Sequence, residues 1–225
     1  MLIIGGTTEG GVGWGLAQHV KKFYPEWRVF TPPIADLDVT IPMSVRRFFD
    51  APDAPVWDYV LYSAGVNHIN PLTEISEEDL NEIFQVNVMG YIRVIGALAR
   101  NQVQGRICSV VGISGRIPMR RTVPYCSSKS GLAFAIKCAA KELGPDWQVT
   151  GVAPATLEET QMSNTIDQEI MDQRGWDVNE YMRREHIREP YGRRLTPAEV
   201  AEGIMIIFNG PQSLTGSVVD IAGGA

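Results

Sequence analysis

Leu2-Ile3-Ile4-Gly5-Gly6-Thr7-Thr8-Glu9-Gly10-Gly11-Val12-Gly13 decides how this chain is read. The apolar triplet has the length and branching of a buried strand, and Leu16, Ala17 and Val20 recur beyond the glycines at helical spacing. Between strand and helix, glycines permit positive φ and close backbone approach. The free N–H groups and dipole of the helix start favour an anion such as pyrophosphate. Taken alone, such a loop is also compatible with a plain tight turn, so the strand-loop-helix context carries the inference.

Working outward, short apolar runs alternate with longer helical patterns. Leu2 to Ile4, Arg28 to Phe30, Tyr59 to Tyr62, Arg106 to Val111, Gln148 to Val152 and Ser217 to Ile221 read as strands. Helices are expected over 12–24, 42–49, 77–100, 126–143 and 197–209, with stops at Gly144-Pro145 and Gly210-Pro211. This alternation predicts an α/β fold with a parallel sheet and helices on both faces, in a single domain spanning 1–225. Residues 157–194 break the rhythm with many charges and few strand signals, and are read as a substrate lid.

A net charge of −6 and a pI near 5.1 argue against nucleic acid as a partner, because phosphate contacts need a concentrated basic face. Cys108, Cys126 and Cys138 are odd in number and lack metal-ligand spacing, which suggests free thiols in a reducing compartment, with cytoplasm as the default. No run approaches the roughly 20 apolar residues of a membrane-spanning helix, so no membrane partner is expected. His19 and His68 show no partner spacing, and no metal site is expected.

Tyr125-Cys126-Ser127-Ser128-Lys129 is the strongest chemical signal. Tyr and Lys four residues apart at a helix start share one face. A phenol near pKa 10 is a poor proton relay at neutral pH; lowering it by about three units takes roughly 4 kcal/mol, which a neighbouring ammonium helps to supply. Spacing alone favours an ordinary amphipathic helix, and the surrounding motifs reverse that balance.

Those motifs resemble the short-chain dehydrogenase/reductase family. The glycine loop ends in Gly-x-Gly at Gly11 and Gly13, although Gly6 lies five before Gly11 where the family usually has four. Asp38-Val39 resembles the family's adenine-contacting pair. Tyr62-Ser63-Ala64-Gly65 resembles its Asn-Asn-Ala-Gly, matching only at Ala64 and Gly65. Val86-Asn87-Val88 resembles the helix carrying the family's asparagine. Pro154-Ala155 and Thr160-Gln161-Met162 resemble the segment flanking the nicotinamide. The resemblance implies a Rossmann-like doubly wound sheet. It also implies an NAD(P)-dependent oxidoreductase acting on a small carbonyl or alcohol, with Tyr125, Lys129, Asn87 and Ser114 in catalytic roles. Gly6, Gly11, Val12, Gly13, Asp38, Val39, Ala64, Gly65, Tyr125, Lys129, Pro154 and Thr160 would hold the dinucleotide.

The family's serine normally stands about thirteen residues before the tyrosine, which here is Gly112, with Ser114 two residues late. Either Ser114 reaches in through a remodelled loop, or another donor substitutes, or turnover is weak. Weak turnover would make the chain a dinucleotide-binding sensor or assembly subunit. Hydride transfer as one step of an isomerisation is a third reading, ranked last. Neither an acidic nor a basic residue marks the ribose position after Phe30-Thr31-Pro32-Pro33, and Glu9, which would repel a 2′-phosphate, inclines the expectation toward NAD over NADP. A homodimer or homotetramer is implied, paired through 77–100 and 126–143, where Ala133, Ala135, Ala139 and Ala140 suit either close subunit packing or the core. In the lid, Arg174, Arg183, Arg184, Arg188, Arg193 and Arg194 with His186 would suit an anionic substrate, but Glu180, Glu185 and Glu189 lie at pairing distance and favour a solvated helix face. Trp176, Tyr181 and Met182 either cap the pocket or pack the lid itself.

Overall fold

In a computed structural model that describes residues 1–158, 160–185 and 191–224, the chain forms one five-stranded parallel sheet in the order β1-β2-β3-β4-β5. The strands are β1 (Leu2–Ile4), β2 (Tyr59–Tyr62), β3 (Gly105–Val110), β4 (Trp147–Pro154) and β5 (Val218–Ile221). Helices α1 (Val12–Phe23), α2 (Pro42–Phe49), α3 (Glu77–Phe84), α4 (Tyr91–Asn101), α5 (Val123–Leu143), α6 (Gln161–Arg174), α7 (Val178–Glu185) and α8 (Pro197–Phe208) complete the order.

Side chains alternate across each strand, so neighbours serve opposite faces. Leu2, Ile4, Val60, Tyr62 and Ile107 join α2, α4 and α5 in one core, through residues such as Phe49, Tyr91, Leu98, Leu132 and Ile136. Ile3, Leu61 and Cys108 join α1 and α8 in the other, with Leu16, Val20, Ile204 and Phe208. Burial on both faces explains why the strands read as unbroken apolar runs.

Three departures from the sequence reading have local causes. Of Arg28 to Phe30, only Phe30 pairs with the sheet, as a bridge to Leu2 in which Ile3 N donates to Phe30 O at 2.9 Å and Phe30 N donates to Met1 O at 3.0 Å. Pro32 and Pro33, lacking N–H groups, cannot extend it. The expected helix over 77–100 is interrupted by a π-helical turn, Gln85–Gly90, between α3 and α4. The expected helix at 126–143 begins earlier, at Val123, with Pro124 in its first turn, where a missing N–H costs nothing.

Residues 157–194, which carry few strand signals, hold α6 and α7. The segment is pinned at its base: Leu157 bridges Leu195, with Glu158 N donating to Leu195 O at 2.9 Å. No helix among the described residues is long and apolar enough to cross a membrane.

Candidate active site

Because all five strands are parallel, their carboxyl ends share one edge, the usual position for ligands in open α/β sheets. The loops after β1, β2 and β3 and the end of β4 bring the glycine run, Ala64-Gly65, Gly112 to Gly115 and Pro154 to that edge. Tyr125 and Lys129 reach it from the first turns of α5.

Lys129 is buried, and its Nζ donates to Val110 O at 3.0 Å and lies 5.6 Å from the centroid of the Tyr125 ring. Burial lowers its pKa to about 8. Burial likewise pushes the Tyr125 phenol up to about 12, and a hydrogen bond with the Ser114 side chain draws it partly back. The sequence suggested a phenol lowered by its lysine. Desolvation dominates instead, and the ammonium sits over the ring and donates to a carbonyl.

Ser114 stands eleven residues before Tyr125, yet its hydroxyl meets the phenol. The cause is local. Gly112 has φ +85° and ψ 152°, a region nearly confined to glycine, and the 3₁₀ turn Ile113–Gly115 then folds the chain back, with Gly115 N donating to Gly112 O at 3.0 Å. Ser114 is thereby buried. The Ser114 and Tyr125 oxygens lie 3.5 and 3.9 Å from the position that a Cβ on Gly112 would take.

Asn87, fully buried inside the π turn, uses its whole side chain. Its Oδ1 accepts from Val66 N at 2.9 Å, and its Nδ2 donates to Val66 O and to Ser128 Oγ, each at 3.0 Å. Ser128 Oγ donates in turn to Tyr125 O at 2.7 Å. Ser128 and Val66 were missed from sequence. Ser128 was visible only as a small polar residue inside the quoted motif, three after Tyr125, and no pattern marks a backbone pair such as that of Val66.

The glycine run fits a dinucleotide. Gly10 has φ +76°, and Gly11 caps α1 with no side-chain hydrogen bond and no acidic residue in the first turn, leaving N–H groups for an anion. A Cβ at Gly13 would stand 2.7 Å from Gly5 O, so only glycine lets α1 start this close to the strand end. Val12, next to it, is buried. Gly6 packs on Ile3 and Thr31, where a Cβ would come within 2.7 Å of the Ile3 side chain. A Cβ at Gly65 would lie 3.2 Å from Lys129 Nζ and 3.4 Å from Asn87 Oδ1. Gly65 thus keeps the space in front of the lysine open.

Other designated residues have structural partners. Asp38 Oδ1 accepts from Thr40 N at 2.8 Å and Thr40 Oγ1 at 2.6 Å, while Val39 is buried and its carbonyl accepts from Arg93 at 3.1 Å. Pro154 closes β4. Thr160 caps α6, accepting from Ser163 N at 3.0 Å.

The arginines that the structure describes within 157–194 have protein partners. Arg183 and Arg184 pair with Glu180, Arg193 with Glu199, and buried Arg194 with Asp167 at 2.6 and 2.9 Å. Arg174 and Arg184 lie over the Trp176 ring, and Tyr181 is buried against Asp167 and Arg194, so these aromatics pack the lid itself. His186, Arg188 and Glu189 lie outside the described residues. His68 contacts Glu82 at 2.7 Å and His19 stacks near Phe23. Cys108, Cys126 and Cys138 are free thiols. Among the described residues, no group of three or more histidine, cysteine or acidic side chains could hold a metal ion. Depressions bordered by Phe49, Trp57 and Gln102, and by His19, Tyr24 and Ile206, share no residue with the Tyr125 cluster.

Comparison with known proteins bears on the family and the fold. L-2,3-butanediol dehydrogenase of Corynebacterium glutamicum is 28% identical over 174 residues, 75% of this chain and 67% of that protein. The 3-oxoacyl-(acyl-carrier-protein) reductase of Aquifex aeolicus is 30% identical over 175 residues, 74% of this chain. The match spans 64% of the reductase, less than two thirds of its length. Among solved structures, a variant of actinorhodin polyketide ketoreductase with NADPH superposes with a TM-score of 0.88 at 23% identity, covering 99% of this chain and 95% of that one. A short chain dehydrogenase family protein from Francisella tularensis gives 0.86 at 20% identity, covering 99% and 96%. The family description "short chain dehydrogenase" matches residues 34–170, which run from the turn before Asp38 through Asn87, Ser114, Tyr125 and Lys129 into α6. With more than half its length matched and that cluster inside the match, the chain belongs to the short chain dehydrogenase family.

Proposed function

We propose that this chain is an NAD(P)-dependent oxidoreductase acting on a small carbonyl or alcohol, with Tyr125 and Lys129 as its proton relay. The observation that carries this reading is the meeting of Ser114, Tyr125 and Lys129 at the carboxyl edge of the sheet, beside a glycine cradle. When bound, the dinucleotide supplies or accepts a hydride at its nicotinamide ring. Gly6, Gly11, Val12 and Gly13 would cradle its pyrophosphate, Asp38, Val39, Ala64 and Gly65 would hold its adenosine half, and Lys129, Pro154 and Thr160 would hold its nicotinamide half.

In the reducing direction Ser114 donates a hydrogen bond to the substrate oxygen. Tyr125 then gives that oxygen its proton. Burial keeps the phenol protonated at neutral pH, so the proton is present when it is needed. Lys129, with its pKa near 8, restores it, and Asn87 holds the backbone beside the lysine. Support for a nicotinamide cofactor comes from the cradle and from relatives solved with NADPH. Those relatives lend nothing to the inclination toward NAD drawn from Glu9, and the proposal is for either form.

The test is to titrate NADH and NADPH for binding and to assay carbonyl and alcohol panels with the protein and its Tyr125→Phe variant. Turnover lowered a hundredfold or more by Tyr125→Phe, with dinucleotide affinity kept, is expected. Binding without Tyr125-dependent turnover would overturn the enzyme reading in favour of a dinucleotide sensor. We further propose a homodimer or homotetramer paired through α4 and α5, whose exposed side includes Ile92 and Phe134. Sedimentation measures it directly, and a monomer at working concentration would refute it.

A further inference from the structure

The π turn that holds Asn87 is matched to one side chain on β2. Tyr62 is fully buried, and its hydroxyl donates to Val86 O, inside the turn, at 2.6 Å. The hydroxyl fills the space beside Gly90, at the end of the same turn: a Cβ at that position would collide with the Tyr62 oxygen and stand 2.8 Å from Val39 Cγ2. A phenol on the strand, a bare glycine on the helix and a carbonyl drawn toward the strand therefore form one fitted contact. Burial raises the Tyr62 pKa, so the group is a phenol and a donor.

The consequence falls on the next residue. Each residue of an α-helix turns the chain by about 100°, and a π turn carries one extra residue, so it resets the facing of what lies inside it relative to the helix that follows. Asn87 follows Val86 directly, and all three of its hydrogen bonds, to Val66 N, Val66 O and Ser128 Oγ, depend on that facing. Were Gln85–Gly90 to relax to ordinary α geometry, the amide would swing away from Val66, and Ser128 would lose its link to Asn87.

We propose that Tyr62 is a positioning residue whose hydroxyl holds the π turn and thereby aims the Asn87 amide at Val66 and Ser128. Its effect on turnover rests on the reading of Asn87 as part of the active site; its effect on geometry does not. The two are measured separately.

Amide hydrogen exchange of the uncomplexed protein reads the geometry. Tyr62→Phe keeps the ring and removes the donor. Exchange at Val66 N–H is expected to quicken tenfold or more, approaching the rate in Asn87→Ala, while core amides around Leu132 in α5 keep their protection. Gly90→Ala, whose Cβ would displace the same hydroxyl, offers a second route to the same change should the first variant fold poorly. Unchanged Val66 exchange in either folded variant, when Asn87→Ala quickens it, overturns the proposal. So does a loss of protection spread evenly through α5, since that marks general destabilisation.

Turnover then tests the underlying reading. A tenfold or greater fall in kcat in Asn87→Ala, matched by Tyr62→Phe and not deepened in the double variant, with the KM for dinucleotide within twofold, supports Tyr62 acting through Asn87. Additive losses in the double variant overturn that route. Full activity in Asn87→Ala removes Asn87 from the catalytic set, while the exchange result still decides what Tyr62 does.

Discussion

The Ser114 hydroxyl and the Tyr125 phenol meet beside the bare Cα of Gly112, where a Cβ would stand 3.5 Å from the first oxygen and 3.9 Å from the second. The contact exists because Gly112 adopts a backbone conformation that side chains avoid. A serine at position 112 would have to hold that conformation or give up the turn that brings Ser114 inward.

Gly112→Ser is therefore expected to cost about 1–3 kcal/mol in stability and to leave turnover no higher than in the parent chain. Urea unfolding and steady-state kinetics check both parts. An increase in kcat would mean that position 112, and not 114, is where the hydroxyl belongs.

On the proposed reading, Ser114→Ala removes the donor to the substrate oxygen. A loss of roughly a hundredfold to a thousandfold in kcat is expected, with dinucleotide binding unaltered. Retention of full activity would assign the role to another group.

Lys129 is held with its pKa lowered from 10.5 to about 8, and this makes stability depend on pH. Between those values the unfolded chain binds the proton and the folded chain does not, so stability rises with pH from about 8 to 10.5 and is lost as pH falls back. The span is on the order of 3 kcal/mol. Tyr125 acts in the opposite sense, its folded pKa of about 12 lying above 10, so stability declines as pH climbs from 10 toward 12. Lys129→Met should abolish turnover yet raise stability at pH 7 and flatten the rise above pH 8. Urea midpoints across pH 7–11 measure this, and an unchanged rise in the variant would exclude Lys129 as its source.

Asp167 holds Arg194 by two hydrogen bonds and also bonds Tyr181, joining α6 and α7 to the base of the lid. Asp167→Asn leaves a buried guanidinium without its counter-charge, a loss of about 3–5 kcal/mol in such settings. Because the contact lies within one segment, we expect local loosening: protease cleavage between 160 and 185 rising about tenfold and a higher KM for substrate, with the Tm of the core little changed. Uniform resistance to cleavage would show that the segment is not an independent lid.

Strand and helix type were legible wherever burial imposes a pattern. The apolar runs of β1 to β5 and the stripes of α1 and α8 read correctly because both faces of the sheet are covered. Where single backbone hydrogen bonds decide, the pattern was silent: Pro32 reduced a strand to the bridge at Phe30, and the π turn Gln85–Gly90 divides the helix expected over 77–100. The helical signal over 157–194 is weak because ion pairs such as Arg194 with Asp167 help to hold α6 and α7.

By itself, then, the sequence determined the parallel α/β architecture, the glycine cradle and the four-residue spacing that puts Tyr125 and Lys129 on one face, since each follows from local periodicity or from residue types with narrow conformational uses. Three-dimensional packing alone decided that Ser114 meets Tyr125, that Asn87 grips Val66 and Ser128, and that burial raises the Tyr125 pKa where a lysine was expected to lower it. Those outcomes depend on desolvation and on contacts between residues as much as 41 positions apart, which no local pattern encodes.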